Sequence, residues 1–302
     1  MRIGISLTVP PGPDSLTALT DQVRRAADDG FASAWLSDVF SVDALMALAL
    51  AGSQVPGIEL GTAVIPSYPR HPAVLAQQAL TAALALNGRL ALGVGLSHRI
   101  VIEDMYGYSF DRPARHMREY LSVLLPLLAG EPADFDGETV HGHLQLSTPP
   151  PAQLPVLLAA MAPQMLRLAG ERAAGTVLWM TGPATVRDYI VPAITAAAKD
   201  AGRPSPRVVC VLPVCVTDDV AASRAGAAEL FEIYGQLPSY RAMLDREGAA
   251  GPGDVALTGD EDVVAAQIMA LAEAGVTDFV AGNYARGEDR QRTRDLLKSL
   301  LS

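Results

Sequence analysis

IELGTAVIPSYPRHPAVLAQQALTAALALNGRLALGVGLSHR, running from Ile58 to Arg99, is the stretch that decides the fold. It divides into an apolar run (Ile58 to Ile65), a proline-rich connection, a helix opening at Pro72, and a second apolar run (Leu90 to Gly95) that ends in Gly93-Val94-Gly95. Neither apolar run alternates with polar residues. A strand dispenses with that alternation only when both faces are covered, as parallel strands are under crossover helices. Between the runs, Leu75, Ala79, Ala82 and Leu86 recur at the spacing of one helical face. Pro72 occupies a first turn, where its missing N–H costs nothing, and Gly88 closes the far end. The stretch is a strand-helix-strand unit, and the fold class is α/β.

The unit recurs on both sides. Arg2 to Val9 reads as a first strand, followed by a helix from Ser15 with Leu16, Leu19, Val23 and Ala26 on one face and Gly30 as its stop. Ala32 to Ser37 is a second strand ending at Asp38, and a helix from Val42 to Ala51 leads into the central unit. From Leu96 to Pro151 the rhythm breaks, with a helix from Pro113 to Ala129 and a short segment rich in Asp, Gly and His. It resumes with strands at Val156 to Ala160, Gly175 to Met180, Arg207 to Val216 and Thr277 to Ala281. Helices run from Pro163 to Arg172, from Pro183 to Asp200 and from Asp218 to Glu247, and Thr258 with Glu261 forms a capping box for one carrying Val264, Ile268 and Leu271. Eight strands with intervening helices predict a (β/α)8 TIM barrel, one domain over residues 1–302 with an insertion after strand 4 at about 96–151. Two Rossmann-like halves, divided at the proline run near 150, are the alternative.

Composition narrows the partners. Half of the 302 residues are hydrophobic, enough for a large core, and no apolar run approaches the roughly 18 residues of a membrane span. A net charge of -10 argues against nucleic acid and anionic membranes as partners. With no signal core near the start, the expected location is cytoplasmic. Cys210 and Cys215 lie five residues apart in VVCVLPVCV, on opposite faces if the run is extended, and read as buried hydrophobes.

In a barrel the active site lies where the strands end, at Asp38, Ala63 to Ser67, Leu96 to His98, Ala160 to Met165, Trp179 and Met180, and Asn283 with Tyr284. The segments RIGISL, SAWLSDVF, LGTAVIPSYPRHPAVLAQQ, GRLALGVG, RHMREYLSVLLPLLAGEPADFDG, LPVLLAAMAPQMLRLAGERAAG and ALTGDEDVVAAQI, in this order, resemble the luciferase-like monooxygenase superfamily. They most resemble its F420-dependent (deazaflavin) oxidoreductases, and the resemblance spans nearly the whole chain. It implies the barrel with its insertion after strand 4, coenzyme F420 as cofactor, a small-molecule substrate and a homodimer. Asp38 matches an acidic cofactor contact, and Ala63 and Val64 match a bulge with a non-proline cis peptide that backs the deazaflavin ring. Leu96 and Ser97 match cofactor-contacting positions, and Met161, Ala162, Gln164 and Met165 match the segment whose amides hold the cofactor phosphate. Relatives that oxidise sugar phosphates have a histidine where this chain has Val39 and a glutamate where it has His98, which argues against that substrate.

The residues themselves support parts of this map. Pro163 reads as a first-turn residue, so free N–H groups and the positive end of a helix dipole face any anion there. His98 reads either as a proton donor or acceptor beside the cofactor or as a solvated loop residue. Gly93-Val94-Gly95 lacks the further residues of a dinucleotide or P-loop motif and reads as a strand end kept bare for a ring to approach. His141 and His143, near Asp134, Asp136 and Glu138, do not complete a metal site, and none is expected. Arg112, Arg115 and Arg118 read as a solvated helix face or as a guide for an anionic tail. Tyr68, Trp179 and Tyr284 are candidate walls of a substrate pocket. The expected activity is hydride transfer between F420 and a small organic substrate; the alternatives are an FMN-dependent monooxygenase and a flavin-binding or deazaflavin-binding barrel without turnover.

Overall fold

The apolar runs without polar alternation all become strands covered on both faces. A computed structural model, describing residues 1–301, places eight of them in a closed parallel ring. In ring order they are Arg2–Ser6, Ser33–Leu36, Glu59–Thr62, Leu90–Gly95, Val156–Leu158, Gly175–Trp179, Arg207–Val216 and Asp278–Asn283. The eighth pairs with the first at Arg2↔Asp278 and with the seventh at Val209↔Asp278, which closes the barrel. The fold is the expected (β/α)8 barrel. No helix among the described residues is long and apolar enough to cross a membrane.

Helices cover the outside. Leu75, Ala79, Ala82 and Leu86 are buried as their spacing predicts, and so are Val264, Ile268 and Leu271. Leu16 is not; it is exposed, leaving Leu19, Val23 and Ala26 to make the inner face of Ser15–Asp28. The break after the fourth strand is less of an interruption than its sequence suggests. Pro113–Leu128 packs beside Pro72–Ala85 as an ordinary crossover helix, and the added structure is a π-turn at Val101–Met105 and a hairpin of Ala133–Asp136 with His141–Leu144. The region from Asp218 to Glu247 is three helices, Val220–Leu230, Glu232–Gln236 and Pro238–Glu247, because Pro238 can sit only in a first turn. Asp260, not Thr258, caps Glu261–Glu273 by accepting from the Val263 N–H. Thr258 is spent elsewhere, on the Tyr284 hydroxyl.

The barrel interior is closed from below and filled in the middle. At the floor Arg207 pairs with Glu59 (2.9 Å) and Asp278 (2.7 Å), and Arg2 pairs with the same two carboxylates. Above them Trp35, Ala91, Leu157, Val177, Val209, Val211 and Val280 form one apolar cluster. Gly61 makes room for the indole, since a Cβ there would lie 2.2 Å from the Trp35 ring. Only the upper end remains open.

At that end the third strand carries one extra residue. Gly61 pairs with Ala91 and Ile65 with Val94, so four steps on one strand face three on the other. The Thr62 hydroxyl fills the gap in the ladder, donating to the Gly93 carbonyl and accepting from the Gly93 N–H, both at 2.9 Å. A Cβ at Gly93 would come within 2.0 Å of the Thr62 carbonyl oxygen, and one at Gly95 within 2.5 Å of Val64 Cγ2. The two glycines are therefore bare because the bulge packs into them, a correction to the expectation that they wait for a ring.

Below the bulge, Ser67 Oγ meets His116 Nε2 at 3.0 Å, and the Tyr68 ring stacks on the imidazole at 3.9 Å. Burial, partly offset by Glu119, pushes the His116 pKa down to about 4.

Gly93→Ala should lower stability by about 1–3 kcal/mol in a urea melt; an unchanged midpoint would contradict the close-packed bulge. His116 is neutral in the fold down to about pH 4, whereas the unfolded chain protonates it near 6.5. The unfolded state thus binds more protons in this window, so stability present above pH 6.5 is lost as the pH falls toward 4, by roughly 3 kcal/mol. Thermal melts of His116→Phe, which retains a stacking ring, should show a flatter pH profile than the parent; parallel profiles would refute the assignment.

Candidate active site

The upper strand ends open onto one cavity of about 2270 Å³. Asp38, Ala63, Val64, Leu96, Ser97, His98, Met161, Ala162, Gln164, Met165 and Trp179 all line it, so residues from strand ends far apart in the sequence converge. Tyr68 and Tyr284 do not line it. Tyr68 lies under the rim against His116, and the Tyr284 hydroxyl is held by Thr258 and Ser223 at 2.8 Å each.

Asp38 ends the second strand with both oxygens engaged. Oδ1 accepts from the Ala44 N–H at 3.1 Å, and Oδ2 accepts from Arg70 at 2.6 Å. Arg70 also bonds Asp43 at 2.6 Å, and Asp43 caps Ala44–Ser53. This cation between two carboxylates fixes the loop on one side of the cavity. Sequence reading gave Arg70 no role, and its only signal was a cation inside a proline-rich strand end.

Next to Asp38, the third-strand bulge presents Ala63 and Val64, joined by the expected cis peptide. The fourth strand delivers Ser97, a non-glycine residue at φ 61°, and then His98. Among the described residues the His98 ring nitrogens have no hydrogen-bond partner, and burial lowers its pKa, which keeps the imidazole neutral near pH 7. It is a half-buried cavity residue, not a solvated loop residue.

After the fifth strand comes Pro163–Arg172. Its first intrahelical bond runs from Leu166 N–H to the Ala162 carbonyl, so the N–H groups of Gln164 and Met165 precede the ladder, and no side chain caps them. Such amides form an anion site. The Tyr189 hydroxyl, from a π-turn at Val186–Ile190, donates to the Met161 carbonyl at 3.0 Å and holds this segment from behind. Arg112, Arg115 and Arg118 line the same cavity. Arg112 precedes the helix at φ 50° and, with Arg115, pairs with Glu138, whereas Arg118 has no carboxylate partner among the described residues.

The wall opposite Asp38 contains aromatic residues that sequence reading missed. Tyr234 meets Trp179 edge to face at 5.6 Å, and Tyr240 meets Tyr234 in the same way at 5.3 Å. The available signal was the run of aromatic residues Phe231, Tyr234 and Tyr240 in a segment otherwise rich in alanine and charge.

Two other candidate chemistries find no support. His141 and His143 pair across their exposed hairpin with Asp136 and Asp134, and the described residues contain no group suited to a metal ion. Cys210 and Cys215 are buried free thiols, and burial pushes Cys210 up to about 12. What remains is a cavity with uncapped amides, a strand bulge and a neutral imidazole.

Comparison with known proteins matches residues 1–278 to the luciferase-like monooxygenase family model. A 5,10-methylenetetrahydromethanopterin reductase of Methanopyrus kandleri is 26% identical, with 94% of this chain and 93% of the relative covered. The solved coenzyme F420-dependent tetrahydromethanopterin reductase of that organism superposes with a TM-score of 0.82 at 24% identity, covering 98% and 97% of the two chains. The FMN complex of the oxygenating constituent of 3,6-diketocamphane monooxygenase from Pseudomonas putida gives 0.77 at 19% identity, covering 99% and 96%. Both superpositions speak to the barrel alone. The match over residues 1–278 places the chain in the luciferase-like monooxygenase family.

Proposed function

We propose that this protein is an F420-dependent oxidoreductase that moves a hydride between the deazaflavin and a small organic substrate. The observation that carries the reading is the uncapped pair of amides at Gln164 and Met165, on the same cavity as the Ala63-Val64 bulge. The residues fit the cofactor. The amides have the donors its phosphate needs, the bulge offers a surface for its ring, and Arg118 has a free cation for its anionic tail. A Mycobacterium tuberculosis relative named as a putative coenzyme F420-dependent oxidoreductase, 29% identical over 70% of this chain, favours F420 over FMN. FMN remains the second reading because a structural neighbour holds it in the same barrel.

When bound, F420 supplies a ring carbon that carries the hydride. The chain supplies placement: Arg70 and Asp43 lock Asp38, Tyr189 locks the Met161 backbone, and Ala63 and Val64 of the bulge would back the ring. His98 holds a proton or accepts one at an imidazole nitrogen. Its lowered pKa keeps it a base at neutral pH. A homodimer belongs to the same proposal; the outward-facing Met46, Leu50, Val74 and Leu84 on two adjacent helices give it an apolar surface.

Fluorescence titration should show binding of F420 and none of FMN; the reverse would install the monooxygenase reading. His98→Ala should slow turnover by about 10²–10⁴-fold while leaving F420 affinity intact. Tyr189→Phe should weaken F420 but not the tail-less deazaflavin chromophore, because the released backbone faces the phosphate alone. Equal weakening of both would assign Tyr189 to general structure.

A further inference from the structure

Much of the cavity is left over once a cofactor is seated. Small-molecule sites usually span about 300–1,000 Å³, and this cavity has about 2270 Å³. The space away from the Gln164 and Met165 amides has its own chemistry. Its wall is a chain of rings from His98 to Tyr240 (5.4 Å), Tyr234 (5.3 Å) and Trp179 (5.6 Å), with Phe231 packed edge-on behind the indole at 5.5 Å. Trp179 Nε1 is buried with no hydrogen-bond partner, so packing against these rings and the apolar core positions the indole.

Apolar character continues to the mouth. Ile100, Met105 and Tyr106 on one side and Ile233 on the other line the cavity yet are 44–59% exposed. An apolar patch left open around a cavity marks a surface that a ligand covers.

Charge points the same way. Arg70 is taken by Asp38 and Asp43, Arg99 by Glu103, and Arg167 by Glu171. Arg118, without a carboxylate partner, lies on Pro113–Leu128, a helix in contact with Pro163–Arg172, and so belongs with the anion-binding amides. Among the described residues that line the cavity, no cation stands free on the aromatic side, where a buried anion would go uncompensated.

We propose that the aromatic half of the cavity selects a bulky, neutral, largely apolar substrate bearing a carbonyl or hydroxyl group that reaches His98, and that it rejects anionic substrates. This deepens the F420 reading and rests on it for the reaction. In the reducing direction, the hydride from the reduced deazaflavin adds to the carbonyl carbon, a proton carried through His98 goes to the oxygen, and the deazaflavin is oxidised; the reverse direction returns hydride and proton.

The test separates the subsite from the cofactor. Quenching of tryptophan fluorescence in the full chain without cofactor is followed with benzophenone, with its 4-carboxylate and with acetone. Both tryptophans line the cavity, Trp35 almost fully buried at its base and Trp179 on the aromatic wall, so quenching reports a ligand in the cavity and its loss in Trp179→Phe assigns it to that wall. Benzophenone should bind at least about tenfold more tightly than either competitor. Tyr234→Ala should weaken it by about tenfold while F420 affinity stays unchanged, which also shows that the variant is folded. Equal or tighter binding of the carboxylate, or no binding of benzophenone, overturns the proposal. If F420 does not bind but benzophenone is preferred, the cofactor reading fails and the subsite stands.

Discussion

The upper half of this barrel depends on how Thr62 clasps Gly93. One extra residue in the third strand would leave a gap in the ladder and unpaired backbone groups inside the protein. The Thr62 hydroxyl closes that gap by bonding both polar groups of Gly93, and the missing side chain at Gly93 lets the two strands meet. Because the ladder re-forms at Ile65, the bulge is confined to Ala63 and Val64 and turned into the cavity. A local irregularity thus becomes a fixed surface without loosening the ring.

The two ends of the barrel use charge differently. At the floor, Arg2 and Arg207 face Glu59 and Asp278, so cations and carboxylates balance around a closed base. At the mouth, the loops are held by pairs such as Arg70 with Asp38 and Asp43, while the Gln164 and Met165 amides stay uncapped. A chain with net charge -10 thereby keeps unpaired N–H donors at its mouth. Placement of charge decides this, not the total.

The barrel was legible because fully covered strands must be apolar along their length, and runs such as Leu90 to Gly95 have no other reading. The helix starting at Pro163 was legible from its first-turn proline, and its free amides followed. Tyr68 and Tyr284 were misplaced because an aromatic residue near a strand end can face inward, outward or down, and only packing decides. Here His116 claims one and Thr258 with Ser223 the other. Thr258 failed as a cap for the same reason: a capping pattern ignores competing partners. Tyr234 and Tyr240 were invisible because their place in the cavity depends on a break at Pro238 that folds two short helices over the barrel mouth. The bulge itself left no trace in composition and came only from resemblance.

In the proposed function the amides after the fifth strand hold the cofactor while the bulge backs it. Hydrogen–deuterium exchange with and without F420 tests this directly, because the Gln164 and Met165 N–H groups lack acceptors among the described residues. Bound F420 should slow exchange at residues 161–166 and 96–99 with no change in the hairpin at 133–144. Unchanged exchange at 161–166 when F420 is bound would contradict it.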